Sequence, residues 1–428
     1  MFRNDVYAEL NRRGFIQQVT EPEKLQQLLQ AGPVTYYVGI DPTADSLHVG
    51  HLMAIMGMMQ MQRYGHRPIA IIGSGTAMVG DPSGKTEMRQ MLSREQIVAN
   101  SRKIKTQLQR YLDFSDGKAL MVDNYDWLGT LNYIDFLRDI GRYFSVNRML
   151  TYEAYKQRLE RGLSFIEFNY QLLQAYDFLM LYKRYGCRLQ MGGDDQWANI
   201  LAGVDLIRRI EEQDAFCLTF PLLTTASGQK MGKTVSGAVW LDADKFSPYD
   251  YYQYWVNSDD RDVARFLAFF TLLPMEEIEA VKCMQGAELN AAKAILAFEA
   301  TKLTHGEAAA QEAMAAASAA FGGRALPADL LASSSAPRGQ VKGDDAAVPF
   351  SVMTMAEIAR APRLVDVLAE LKLVGSKGDA RRLIQGGGVY LNQGRVDDIN
   401  LCLAAEQVQE GRIVLRLGKK RHHHLLVQ

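Results

Sequence analysis

The sequence predicts an α/β protein: a doubly wound parallel sheet, then an α-helical region, then a small α+β terminal module. Three observations predict it. In the first half, apolar strand-like runs alternate with stretches of helical spacing, the pattern of a parallel sheet covered on both faces. Residues 245–325 read as helical throughout and become alanine-rich. After a small-residue, proline-containing stretch at 332–349, short strand and turn patterns return.

Each element follows from local chemistry. "VTYYVGID" (34–41) is β-branched and aromatic and reads as the first strand. A loop with Pro42, Asp45 and Ser46 leads into "HLMAIMGMMQMQRYG", apolar at helical spacing with Gly65 as its stop. "RPIAIIG" (67–73) is a second buried strand and opens into the glycine-rich "GSGTAMVGDPSG". "CRLQMGG" (187–193) is a third, with "DDQWANILAGVDLIRRI" as its helix. Sheets of this kind bind ligands at the carboxyl ends of their strands. Between the second and third strands, about 120–186, lies a helical insertion rich in aromatics. The domain boundaries read as 1–225, 226–331, a linker at 332–349, and 350–428. The last module holds two helical patterns, "GVYLNQGRV" with a turn at Asn392–Gly394, and "GRIVLRLGKKR" as a terminal strand.

Charge and cysteine usage narrow the classes. The net charge of −1 hides an asymmetry: residues 351–428 carry twelve Lys/Arg against eight Asp/Glu, so +4, leaving −5 elsewhere. A basic terminal module suits a polyanionic partner. Cys187, Cys217, Cys283 and Cys402 lie far apart, with no CxxC, which predicts reduced thiols and no structural metal. The first residues mix charge signs and read as no signal peptide. The longest charge-free apolar stretches, near 52–59 and 68–80, are too short to span a bilayer. A cytoplasmic protein with no membrane partner is expected.

Two glycine runs imitate nucleotide loops and fail. "GDPSGKT" would need glycine at 79 for a P-loop, and Val79 stands there. "GSGTAM" has Met78 where a dinucleotide loop needs its last glycine. The stronger signal is His48 and His51, three apart at a helix start. Amide groups there carry about half a positive charge and suit phosphate. The imidazoles add donors, and Gly50 lets a flat base approach. Alone, such a pair often does no more than start a helix. "SGQKMGKT" (227–234) decides the matter, because Lys230 and Lys233 in a Gly/Ser/Thr-rich stretch supply mobile charge for a reacting triphosphate.

"HVGH" and "KMGKT" resemble the HIGH and KMSKS motifs of class I aminoacyl-tRNA synthetases. The finer pattern is similar to the bacterial tyrosyl-tRNA synthetases: "YVGIDPTADSLHVGH", "GDPSGK", "NYDW", "QLLQAYDF", "GGDDQW" and "KMGKT" occur in that order. The resemblance covers essentially the whole chain. It implies a Rossmann-like catalytic domain (1–225), a lysine loop with an α-helical anticodon-recognition domain (226–331), and an S4-like RNA-binding domain (350–428).

It also implies roles. Tyr37 and Asp177 hold the substrate phenol hydroxyl, and Asp81, Tyr170 and Gln174 hold the amino group. Tyr170, Gln174 and Asp177 fall at i, i+4 and i+7, one polar stripe on an apolar helix, which is costly unless it faces a ligand. Gln196 reaches the substrate carboxylate and Asp195 the ribose. Gly39, Asp41, Thr43, Gly50, Gly193 and Met231 line ATP, with Asn124 and Lys85 as further candidates. His48, His51, Lys230, Lys233 and Thr234 handle the phosphates. The implied reaction joins L-tyrosine to ATP, used with Mg2+, and passes it to tRNA(Tyr). The insertion implies a homodimer with Phe165 near the contact.

Two departures from the family stand out: Asp194 replaces the usual serine, and the tail "KKRHHHLLVQ" replaces a more aromatic ending. In the terminal module, Lys372, Lys377, Arg381, Arg382, Arg395, Lys419, Lys420 and Arg421 are candidates for an RNA-facing surface, with Ser376 capping the helix that carries two of them. Three rivals compete. A tryptophanyl-tRNA synthetase is disfavoured by Asp177 with Tyr37. A cofactor adenylyltransferase would lack the paired lysines, and a non-catalytic RNA binder would not need the histidines.

Overall fold

The computed structural model describes residues 5–83, 92–160, 162–226, 228, 231–234, 237–321, 325–339, 348–418 and 421–428. The chain divides into two compact units. One comprises Met1–Gly232, Val239–Phe246 and Asp259–Met284; the other comprises Lys233–Ala238, Ser247–Ser258 and Gln285–Gln428.

The first unit is built on six strands: β1 (Gln18–Val19), β2 (Thr35–Ile40), β3 (Arg67–Ile72), β4 (Leu120–Asp123), β5 (Leu189–Gly193) and β6 (Phe216–Phe220). Their order is β1-β6-β5-β2-β3-β4, parallel except for β1 against β6. The doubly wound sheet is therefore as expected. Three of its strands were not read from the sequence. Leu120–Asp123, which looked like the start of the helical insertion, pairs with β3. Two-residue β1 carries too little pattern to see, and Phe216–Phe220, buried along its whole length, shows no alternation.

Helix Phe165–Tyr185 carries Tyr170, Gln174 and Asp177 on the sheet. Its start is fixed by a reciprocal cap between Ser164 and Glu167. Glu167 also pairs with Arg158 at 2.8 Å, both side chains being buried. Tyr37, Ile69, Ile71, Phe178 and Leu206 are buried in one apolar cluster between this helix and the sheet.

The second unit contains the two-residue strands β7 (Lys233–Thr234) and β8 (Gly237–Ala238), and helices Pro248–Val256, Gly286–His305 and Glu307–Phe321. Residues 332–339, read as the beginning of a linker, are tied down. Ser334 Oγ and Ser335 N both donate to Glu299 of the long helix, and the Arg338 guanidinium donates to the Leu330 and Leu331 carbonyls. Small polar residues looked like a linker because their partners lie some 35 positions earlier in the chain. Residues 340–347 are outside the described residues.

The terminal module has a five-stranded sheet of β9 (Phe350–Met353), β10 (Val389–Leu391), β11 (Gly394–Arg395), β12 (Arg412–Leu417) and β13 (Arg421–Val427), ordered β11-β10-β12-β13-β9. Asn392 and Gln393 turn β10 into β11 with φ of 48° and 72°. The histidine tail, which looked like an atypical ending, is strand β13, antiparallel to β12 and parallel to β9. His423 Nε2 lies 2.9 Å from Ser351 Oγ. All four cysteines are free thiols. Among the described residues no helix is long and apolar enough to cross a membrane, and no group of three His, Cys, Asp or Glu side chains could hold a metal ion.

Candidate active site

The strand order reverses direction between β2 and β5: the chain steps from β2 outward to β3 on one side, while β5 leads to β6 on the other. Open α/β sheets hold ligands at such a point. Gly39 marks it here, exposed within an otherwise buried stretch of β2. A side chain there would lie 3.3 Å from Ile71 and fill the space above the strand.

Around this opening the sequence candidates meet in a buried polar network. Asp177 accepts hydrogen bonds from Asn124 Nδ2 at 2.9 Å and Trp127 Nε1 at 2.7 Å. Burial raises its carboxyl to about 7 against the pull of those two donors, with Asp41 and Asp123 raising it further. Asn124 also donates to Thr76 Oγ1 at 3.0 Å, and Thr76 donates to Asp41 Oδ1 at 2.8 Å. The other Asp41 oxygen takes the Tyr170 hydroxyl at 3.0 Å. Burial first, then Asp41, Asp81 and Asp177, hold the Tyr170 phenol well above its usual range. Tyr37 is buried with its ring 5.2 Å from that of Phe178. Its hydroxyl has no hydrogen-bond partner among the described residues. Burial and then the Asp177 charge push that phenol upward too.

A second knot joins Asp81 to the helix after β5. Asp81 accepts from Gln196 Nε2 at 2.7 Å and from the Ser83 amide at 2.9 Å. Asn199 donates to Ser83 Oγ at 3.2 Å and to Gln196 Oε1 at 3.1 Å. Gln174 is half-buried on the same helix as Tyr170 and Asp177. Gly193 ends β5 and Asp195 follows it, both half-buried, and Thr43 is exposed after β2 with its amide on the Asp41 carbonyl. Thr76, Trp127 and Asn199 were not singled out from the sequence. For Trp127 the signal existed, since it ends "NYDW" beside Asn124.

The phosphate end is built differently. His48 is the N-cap of helix Val49–Arg63, and His51 is its third residue. His48 Nδ1 accepts the Gly50 amide at 3.0 Å, and His51 Nδ1 accepts the His48 amide at 3.1 Å. With both Nδ1 atoms accepting, each neutral ring carries its proton on Nε2, ready to donate. The ring centres are 4.0 Å apart. Gly232, from the lysine motif, packs on this helix start. A Cβ there would lie 3.1 Å from the Gly50 nitrogen, and its φ of +91° also demands glycine. Met231 beside it is buried. Lys230 and Lys85 lie outside the described residues, as do the side chains of Lys233 and Thr234.

Asp194, the acid in place of the family's serine, is occupied by groups on the neighbouring strands. Its Oδ1 accepts Gln18 Nε2 at 2.6 Å and Thr219 Oγ1 at 2.9 Å. Both donors come from strands β1 and β6.

Residues 29–322 match the family described as tRNA synthetases class I (W and Y), and residues 345–425 match the tyrosine–tRNA ligase SYY-like C-terminal domain. The tyrosine–tRNA ligase of Desulfosudis oleivorans is 56% identical over 425 residues, 98% of each chain. That of Syntrophus aciditrophicus is 54% identical over the full length of both. Among solved structures, a C-terminally truncated mitochondrial tyrosyl-tRNA synthetase from Aspergillus nidulans superposes with a TM-score of 0.66 at 31% identity, covering 73% of this chain and 92% of that one. This chain belongs to the tyrosine–tRNA ligases, within the class I tRNA synthetases.

Proposed function

We infer that this chain activates L-tyrosine with ATP and transfers it to the 3′-terminal adenosine of tRNA(Tyr). The observation that carries the substrate choice is the buried Tyr37 hydroxyl, without a hydrogen-bond partner among the described residues and within the electrostatic reach of the Asp177 carboxylate. A substrate phenol gives Tyr37 a partner and donates to Asp177. Phenylalanine would bury the same groups with nothing to bond, which is the stronger form of discrimination. Asp81, Tyr170 and Gln174 take the amino group, and Gln196 orients the carboxylate for attack.

ATP, as its magnesium complex, lies over Gly39, Gly50 and Gly193, with Asp41, Thr43 and Met231 beside it and Asp195 at the ribose. The tyrosine carboxylate oxygen attacks the α-phosphorus, and the bond to pyrophosphate breaks. No protein nucleophile is required. His48 and His51 donate through Nε2 to phosphate oxygens, while Lys230, Lys233 and Thr234 bring mobile donors. Such groups accelerate the step by binding the transition state more tightly than the ground state. The tRNA ribose hydroxyl then displaces AMP.

Two further assignments complete the reading. Tyr133, Ile134, Val146, Leu159 and Phe165 are exposed, Phe165 at 70%, an apolar set on the insertion that suits a homodimer contact. On the terminal module, Arg381 and Lys372 are exposed candidates for RNA backbone. Arg382, Lys377 and Arg395 are engaged with Asp379, Asp366 and Asp397. Lys419, Lys420 and the Arg421 side chain lie outside the described residues. The free thiols suit the cytoplasm. The test is ATP–pyrophosphate exchange with each of the twenty amino acids. Tyrosine alone should support it; exchange with tryptophan or phenylalanine instead, or with none, would overturn the reading.

A further inference from the structure

Strand β5 runs into one tight helical turn, Asp194–Gln196, whose three side chains go to three different places. Asp195 folds back over the end of the strand: its Oδ1 lies 2.7 Å from the position a Cβ on Gly193 would take. Gln196 Nε2 reaches Asp81, also at 2.7 Å. Asp194 turns the other way, toward the edge of the sheet. Its Oδ1 is a shared acceptor for Gln18 Nε2 at 2.6 Å and Thr219 Oγ1 at 2.9 Å. Thr219 Oγ1 in turn accepts the Gln18 amide at 3.1 Å, and Gln18 and Thr219 are register partners on β1 and β6. Each of the three residues thus bonds to the other two. Thr219 is wholly buried, and its hydroxyl, which accepts from an amide, gives its own hydrogen to Asp194. Asp194 and Gln18 are half-buried.

We propose that Asp194 is a positioning residue for ATP, its clamp on β1 and β6 holding the turn that aims Asp195 at the ribose. The acid reaches one bond further from the backbone than the serine usual in the family. That reach takes it to a strand of two residues lying 176 positions earlier in the chain, which makes β1 part of the support of the site. β6 is already tied to β5 by the sheet, with Thr219 opposite Gly192, so the clamp fastens the turn to the strand pair it springs from. Misplacing a group that orients a reactant by about 1 Å costs on the order of 100-fold in rate. Loss of the clamp should cost less, because the Gln196 bond to Asp81 still holds the other end of the turn. This proposal rests on the assignment of Asp195 to the ribose.

The experiment measures single-turnover tyrosyl-adenylate formation in the full chain with ATP and with 2′,3′-dideoxy-ATP, which lacks both ribose hydroxyls. The preference for ATP over the analogue reports the ribose contact, and a loss of stability alone would leave it unchanged. Asp194→Ala should lower that preference by about tenfold, and Gln18→Ala, which leaves the turn's own sequence intact and removes one of the two donors, by about threefold. Asp194→Asn keeps an Oδ1 acceptor for both donors and should recover most of the preference. Asp194→Ala and Gln18→Ala chains with the parent's preference, beside an Asp195→Ala chain that has lost it, would remove the clamp alone; should Asp194→Ala not fold, Gln18→Ala decides the matter. An Asp194→Asn chain no better than Asp194→Ala would also overturn the proposal, since charge and not the two bonds would be at work. An Asp195→Ala chain that keeps the parent's preference would remove the ribose assignment and this proposal with it.

Discussion

The two ends of the candidate site are made in opposite ways. At the tyrosine end, Asp177, Asn124, Thr76, Asp41 and Tyr170 form a continuous chain of hydrogen bonds; Asp177 and Tyr170 stand on one long helix, while Asp41, Thr76 and Asn124 each lie just beyond the end of a sheet strand. Hydrogen bonds to charged groups of this kind are each worth roughly 1.5–3 kcal/mol, and an orphaned member costs a similar amount. At the phosphate end, His48 and His51 use local backbone amides to orient themselves, Gly50 is exposed, and the neighbouring motif turns at a left-handed glycine. The difference is one of timing. Selectivity is laid down when the chain folds, whereas rate depends on donors whose best partner exists only during reaction.

Breaking the tyrosine end should therefore have the largest effect. Asp177→Ala leaves Asn124 Nδ2 and Trp127 Nε1 without the oxygens they now meet at 2.9 and 2.7 Å. Tyrosine use in pyrophosphate exchange should fall by at least about 100-fold, equivalent to about 3 kcal/mol. A folded Asp177→Ala protein that activated tyrosine normally would refute the phenol assignment. The gentler Asp177→Asn carries a signature in pH. Burial holds the Asp177 carboxyl at about 7, above the value near 4 of an unfolded chain. Between those values the folded state binds the extra proton, so this group's contribution to stability is present below about pH 4 and lost as pH rises to about 7. Melting temperatures across that window should fall less steeply for Asp177→Asn than for the parent.

A smaller effect should follow from removing the terminal module. Its core, from Met353 through Ile384 and Val389 to Leu425, is a cluster of its own. A chain ending near residue 345 should keep pyrophosphate exchange within about twofold and lose tRNA charging, with a shallower salt dependence of tRNA binding. Undiminished charging by that chain would remove the RNA-binding role.

The sequence carried the chemistry further than the architecture. Strands β2, β3 and β5 were legible because hydrophobic period and boundary residues agreed. β4 and β6 were not: four-residue β4 is too short to show a period, and β6 is buried along its whole length and shows no alternation. The stripe Tyr170–Gln174–Asp177 was visible as polarity out of place on an apolar helix. What the stripe bonds to was harder to see, since Asn124 and Trp127, which meet Asp177, lie 53 and 50 positions away, and Asp41, which meets Tyr170, lies 129 away. The histidine tail was likewise not read as a strand: it forms β13, in which successive histidines alternate faces and His423 Nε2 lies 2.9 Å from Ser351 Oγ.

The contrast between the two ends is tested most directly by measuring tyrosine affinity and the single-turnover rate of adenylate formation for His48→Ala beside the parent chain. Because the imidazole serves the transition state, the rate should fall at least about tenfold while the tyrosine dissociation constant stays within about twofold. Equal losses in affinity and rate would contradict the account, making His48 a support for the fold of the pocket instead of a donor to the reacting phosphates.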